Sequence, residues 1–174
     1  DSVRIDLVRQ FAPEAVEQPW EQIVEPLLRK AQPIPPATSM LDLFFEADRA
    51  LLILGAPGVG KTMSLIDLAR ELIALAESDP TEPIPVILNL ASWSKRRGAL
   101  AGWVVEELTA KYQIPRKMGQ RWLENNELLL LLDGFDEIAP KFQTEGIKAV
   151  NQFREANGLT GLVVCGRVED YEAV

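Results

Sequence analysis

The stretch LLILGAPGVGKTMSLIDLAREL, residues 51–72, decides the fold. Leu51 to Leu54 form a short, wholly apolar run that reads as a buried strand. Leu65, Ile66, Ala69, Leu72, Ile73 and Ala76 then recur at the spacing of one helix face, from about Lys61 to Glu77. Between strand and helix lies GAPGVGKT (55–62), which matches G-x-x-x-x-G-K-[ST] in the strand–loop–helix setting that the pattern requires. Gly55, Gly58 and Gly60 let the backbone curl until successive N–H groups converge on phosphate oxygens, and the helix start adds partial positive charge. Lys61 is placed to reach the β- and γ-phosphates, and Thr62 offers a hydroxyl to Mg²⁺, while Pro57 stiffens the loop. The expected nucleotide-binding residues are therefore Gly55, Ala56, Pro57, Gly58, Val59, Gly60, Lys61, Thr62 and Met63.

Outward from this point the chain alternates short apolar runs with helical patterns. VILNL (86–90), LLLLL (128–132) and LVVC (162–165) read as further strands. Leu100, Trp103, Val104, Glu107 and Leu108 lie at helical spacing, Met118, Trp122 and Leu123 suggest a short helix after Pro115, and Ile147, Val150, Asn151 and Phe153 mark another. Strands that are continuously apolar belong to a sheet covered on both faces, and intervening helices make that sheet parallel with right-handed crossovers. The expected fold class is α/β, a three-layer core. There is no internal repeat and no low-complexity tract.

A magnesium nucleotide needs a second protein oxygen, at the end of a strand beside the phosphate loop. LLLLLDGFDE (128–137) supplies it: the leucines form a core strand and Asp133 is the expected metal-side carboxylate, with Thr62 the other metal ligand. Asp136 and Glu137 follow within four residues. Their functional reading is that one of them orients and polarises the attacking water, Glu137 before Asp136; a helix cap or solvated turn is the competing reading.

Composition narrows the field. Of 174 residues, 47% are hydrophobic and 25% charged, the balance of a soluble globular domain. The net charge of −8 argues against a general nucleic-acid surface, and the absence of His removes imidazole chemistry. Cys165, the single cysteine, sits inside LVVC and reads as a small buried hydrophobe. No apolar run approaches the roughly 18–20 residues of a membrane span, and no leader-like segment opens the chain, so a cytoplasmic location is expected. The chain opens at Asp1 and stops at Val174, just after the fourth expected strand, and reads as a piece of a longer protein.

Residues 1–38 differ from the rest. Pro13, Pro19, Pro26, Pro33, Pro35 and Pro36 interrupt helical patterns, although Val3, Ile5 and Leu7 alternate like a short strand and Trp20 to Ala31 could form a helix. SMLD (39–42) fits a capping box that opens a helix to about Ala47. The expected division is a Pro-rich segment over 1–38 and a nucleotide-binding domain over 39–174. SKRRG (94–98) carries the only tight basic cluster, Lys95 to Arg97, and reads as a solvated loop.

GAPGVGKT, PIPVILNLASW (83–93), LLLLLDGFDE and LVVCGRVEDYEAV (162–174) together resemble the NACHT family of STAND-class P-loop NTPases, over roughly residues 39–174. In many P-loop ATPases the catalytic glutamate directly follows the magnesium-side aspartate. Here Gly134 takes that place and the acids move to Asp136 and Glu137, as in the NACHT pattern. The resemblance implies that Arg167 is a sensor arginine for the γ-phosphate; an Arg just past a parallel strand also faces the crevice where ligands bind. It implies strand order 5-1-4-3-2, reduced to 1-4-3-2 because a fifth strand is absent, as are the helical and winged-helix parts that close over ADP. Ser39 to Phe45 is the candidate contribution to an adenine pocket. The implied function is an ATP-binding, slowly hydrolysing switch with cofactors ATP/ADP and Mg²⁺, self-associating on activation, with bacterial members linked to defence and regulated cell death. No N-K-x-D motif favours GTP. A scaffold that holds nucleotide without turnover would share every loop residue.

Overall fold

The leucine run 128–132 is buried to the last side chain, each no more than 1% exposed, because its two sets of alternating residues feed two different cores. The computed structural model describes residues 39–54, 60–158 and 160–166; the segment 1–38, the loop residues 55–59 and Arg167 lie outside them. Among the described residues four strands form one sheet: β1 (Ala50–Leu54), β2 (Ile84–Asn89), β3 (Leu128–Asp133) and β4 (Leu162–Gly166). All pairings are parallel and the order is β1-β4-β3-β2, as the sequence resemblance implies.

Six α-helices accompany the described strands: α1 (Met40–Glu46), α2 (Lys61–Ser78), α3 (Leu90–Arg96), α4 (Leu100–Tyr112), α5 (Arg116–Glu124) and α6 (Pro140–Ala156). Leu129 and Leu131 face α1 and α2, where they join Phe44, Leu51, Ile53, Leu65, Leu68, Leu72, Val163 and Cys165. Leu128, Leu130 and Leu132 face the other helices, among Trp93, Trp103, Val104, Leu108, Ile147 and Phe153. Each leucine removed from water contributes about 1.5–3 kcal/mol before entropy is counted. A strand central to a doubly covered sheet therefore has no position at which a polar residue would cost nothing.

Local signals account for several boundaries. Ser39 caps α1, its Oγ accepting from the N–H groups of Leu41 (3.1 Å) and Asp42 (3.3 Å). On α2 the buried face is Ser64, Leu65, Leu68, Ala69 and Leu72, whereas Ile73 is 45% exposed. The apolar stripe is thus turned slightly from the one that the periodicity predicts. The expected strand 86–90 is Ile84–Asn89, and Leu90 opens a helix instead, because Asn89 is a helix cap hidden in an apolar run. Lys95 and Arg96 are exposed, but they lie in the last turn of α3, where cations favour the helix dipole.

β2 is an edge strand, and its burial alternates accordingly. The Ile84 N–H donates to the Glu127 carbonyl at 2.8 Å, which turns Ile84, Val86 and Leu88 toward β3 and leaves Pro85 on the outer side, where no ladder bond is lost. The outward Ile87 carbonyl accepts from the Tyr112 hydroxyl at 2.9 Å, so α4 covers part of the open edge. Tyr112→Phe is expected to lower stability by no more than about 1 kcal/mol, since the freed carbonyl can turn to water. That corresponds to a fall of roughly 2–4 °C in thermal midpoint. A larger fall would mean that the hydroxyl anchors α4 itself.

Candidate functional site

All four strands are parallel, so their C-terminal ends lie along one edge of the sheet, and the chemistry-bearing residues gather after β1 and at the end of β3. At the first, Gly60 caps α2 in the left-handed region (φ +85°) and passes the chain into Lys61 and Thr62. Lys61 is 8% exposed, low for an ammonium, and Thr62 is exposed. At the second, β3 ends in Asp133, and both of its carboxylate oxygens are engaged. Oδ2 accepts from the Thr62 hydroxyl at 2.8 Å, and Oδ1 accepts from the Gly134 N–H at 2.9 Å. Residues 71 positions apart are thereby joined by one hydrogen bond.

Gly134 has two reasons to be glycine. Its φ is +74°, and a Cβ there would lie 3.0 Å from Asn89 Oδ1 and 3.1 Å from Asn89 Nδ2. The left-handed residue reverses the chain into a single 3₁₀ turn, Phe135–Glu137, anchored by the buried Phe135 ring. Asp136 and Glu137 are carried back toward Lys61 as a result. The Glu137 N–H closes the turn on the Gly134 carbonyl at 3.0 Å.

These residues border an open cavity of about 310 Å³ lined, among the described residues, by Gly60, Lys61, Thr62, Met63, Asp133, Gly134, Asp136 and Glu137. Of the expected site residues, Lys61, Thr62, Met63, Asp133, Asp136 and Glu137 therefore meet at one place, with Gly60 at its rim. Gly55, Ala56, Pro57, Gly58, Val59 and Arg167 lie outside the described residues. The segment Ser39 to Phe45 does not line the cavity. Met40, Leu43 and Phe44 are buried in the core, and Phe45 packs beside Arg49, which pairs with Glu82 at 3.1 Å.

The described lining sets three carboxylates and one hydroxyl against one ammonium. Hard oxygens of this kind suit a divalent cation that takes most of its coordination from phosphate and water, since among the described residues no group of three or more acidic side chains is arranged to hold a metal by itself. Cys165 lies just beneath, fully buried at the end of β4. Burial pushes its thiol well above the ordinary range, the charges of Asp133 and Asp136 push the same way, and Lys61 opposes them. The protonated thiol is a packing residue, not a nucleophile.

One functional candidate escapes the sequence reading. Asn89, at the end of β2, stands level with Asp133 in the strand register and donates from Nδ2 to Glu137 Oε2 at 3.1 Å. The signal that could have marked it is a lone amide closing an apolar strand at the same edge as the acids.

Comparison with curated proteins and with solved structures returns no match. The family model of the NACHT domain matches residues 49–162, about two thirds of the chain. That span begins just before β1 and ends at β4, and it contains the phosphate-loop motif, Asn89 and the Asp133–Glu137 turn. The chain belongs to the NACHT domain family, and with it to the nucleotide-binding P-loop NTPases.

Proposed function

We propose that the protein binds ATP with Mg²⁺, hydrolyses it slowly, and uses the difference between its ATP- and ADP-bound forms as a signalling switch. The observation that carries this reading is the 2.8 Å bond between Thr62 and Asp133 at the wall of a cavity that also holds Lys61, Asp136 and Glu137. Bound Mg²⁺ would supply neutralisation of charge on the phosphate oxygens.

The residues divide the remaining work. The motif assigns the backbone N–H groups of Gly55 to Gly60, Pro57 excepted, to the phosphates, and Lys61 to the β- and γ-phosphates as a positive partner. Glu137 accepts a proton from the attacking water while the water oxygen bonds to the γ-phosphorus and the bond from that phosphorus to the bridging oxygen breaks, the electron pair leaving with ADP. Asp136 is the neighbouring acid that can share this role. Arg167, which lies outside the described residues, is assigned by the family resemblance alone to the charge that builds up on the γ-phosphate. The expected division at residue 39 belongs to the same proposal, as do a cytoplasmic location, closure by helical and winged-helix parts of the full-length protein, self-association on activation, and a role in bacterial defence or regulated cell death. The family resemblance supports these points.

The test is phosphate release by the full-length protein with saturating ATP, in Mg²⁺ and again after chelation with EDTA. Slow release that falls to background on chelation is the expected result. Release that persists without the metal would overturn the assignment of Thr62 and Asp133. Tight ATP binding with no release under either condition would favour a scaffold that holds nucleotide without turnover.

A further inference from the structure

Asn89 occupies the junction between β2 and α3, and its carboxamide works in two directions. Oδ1 accepts from the Ala91 N–H at 2.7 Å, which caps α3. Nδ2 donates to Glu137 Oε2 at 3.1 Å. The first bond settles the direction of the second. A backbone N–H can be met only by the carbonyl oxygen, so the amino end of the amide must face Glu137 as a donor.

The neighbourhood keeps that orientation. Gly134 passes so close that any side chain on it would press into the amide, and Asn89 pairs in register with Asp133, so both groups ride on adjacent strands of one rigid sheet. Glu137 is different in kind: it is exposed, on a three-residue turn, with a long side chain that loses appreciable rotamer entropy when held. Asn89 does not itself line the cavity. It stands behind the glutamate.

We infer that Asn89 is a positioning residue for Glu137, holding one carboxylate oxygen so that the other is presented to the water at the γ-phosphate. The inference rests on the hydrolytic reading given above. It predicts an effect on the chemical step and none on nucleotide affinity, because every contact proposed for the phosphates is made by other residues. Misplacement of a reacting group by about 1 Å can cost on the order of 100-fold in rate, so loss of the contact is expected to lower kcat roughly 10- to 100-fold.

Asn89→Ser separates this role from the helix cap. Serine keeps an acceptor for the Ala91 N–H but is too short to reach Glu137, so the thermal midpoint should stay within a few degrees of wild type while turnover falls. In Asn89→Asp the cap also survives, but a negative oxygen faces Glu137, and the loss of kcat should be at least as large. The decisive measurement is a double-mutant cycle on the full-length protein, with kcat from phosphate release and ATP affinity from calorimetry, for wild type, Asn89→Ser, Glu137→Gln and the double variant.

If Asn89 acts through Glu137, Asn89→Ser lowers kcat with affinity unchanged, and it costs no further activity once Glu137 is glutamine. Wild-type turnover in Asn89→Ser, beside a strong loss in Glu137→Gln, would overturn the role of Asn89 and leave the hydrolytic reading standing. Losses that simply multiply in the double variant would likewise overturn it, since Asn89 would then act elsewhere. Undiminished turnover in Glu137→Gln would overturn both.

Discussion

Lys61→Ala is expected to weaken ATP binding by about ten- to a hundredfold, the equivalent of one charge-assisted hydrogen-bonding partner. The side chain is only 8% exposed and lines the cavity, so its charge is already partly withdrawn from water before nucleotide arrives. A multiply charged phosphate chain is the partner for which such an ammonium is suited. Removing it also leaves Asp133, Asp136 and Glu137 around the cavity without that cation, so an incoming anion meets a more negative wall. Folding should suffer little, because loss of a poorly solvated charge offsets much of what its contacts contribute. Titration calorimetry with ATP checks the first part and thermal denaturation the second; weak binding together with an unchanged midpoint is the expected pairing.

Glu137→Gln should have the larger effect, and on a different quantity. Glutamine preserves the shape of the side chain and can still accept from Asn89 Nδ2, so the turn Phe135–Glu137 and the cavity wall should persist. What disappears is the ability to take a proton. General-base contributions of this kind are worth about 10²- to 10⁴-fold, so turnover should fall by that range while ATP affinity changes no more than a few-fold. Asp136 lines the same cavity, and any activity left in Glu137→Gln measures how far it can substitute.

Much of this arrangement was legible in the residues. Five leucines followed by Asp133 read as a core strand ending in a carboxylate, and β3 is that strand; the phosphate-loop motif gave the carboxylate its expected magnesium-side role. The strand order came from the family resemblance and not from periodicity, which says nothing about which strands are neighbours. Asn89 was hidden because VILNL reads as one apolar run, and a cap residue inside it is visible only once Leu90 is seen to turn into α3. The exposure of Ile73 has a similar origin: an apolar residue near the edge of a helical stripe can face either way, and packing against the sheet selects Leu68 instead. Gly134 stands out in the sequence as a departure from many P-loop ATPases, but its physical reason lies in the structure. The reversal and the close approach of the Asn89 amide both depend on the absent side chain.

The central claim is that the turn after β3 carries a hydrolytic acid and not merely a charged surface. It is tested most directly by phosphate release from the full-length protein at saturating Mg·ATP, comparing wild type with Glu137→Gln at matched nucleotide occupancy. The account predicts equal binding and a turnover at least about a hundredfold lower in the variant. Equal turnover in the two proteins would contradict it.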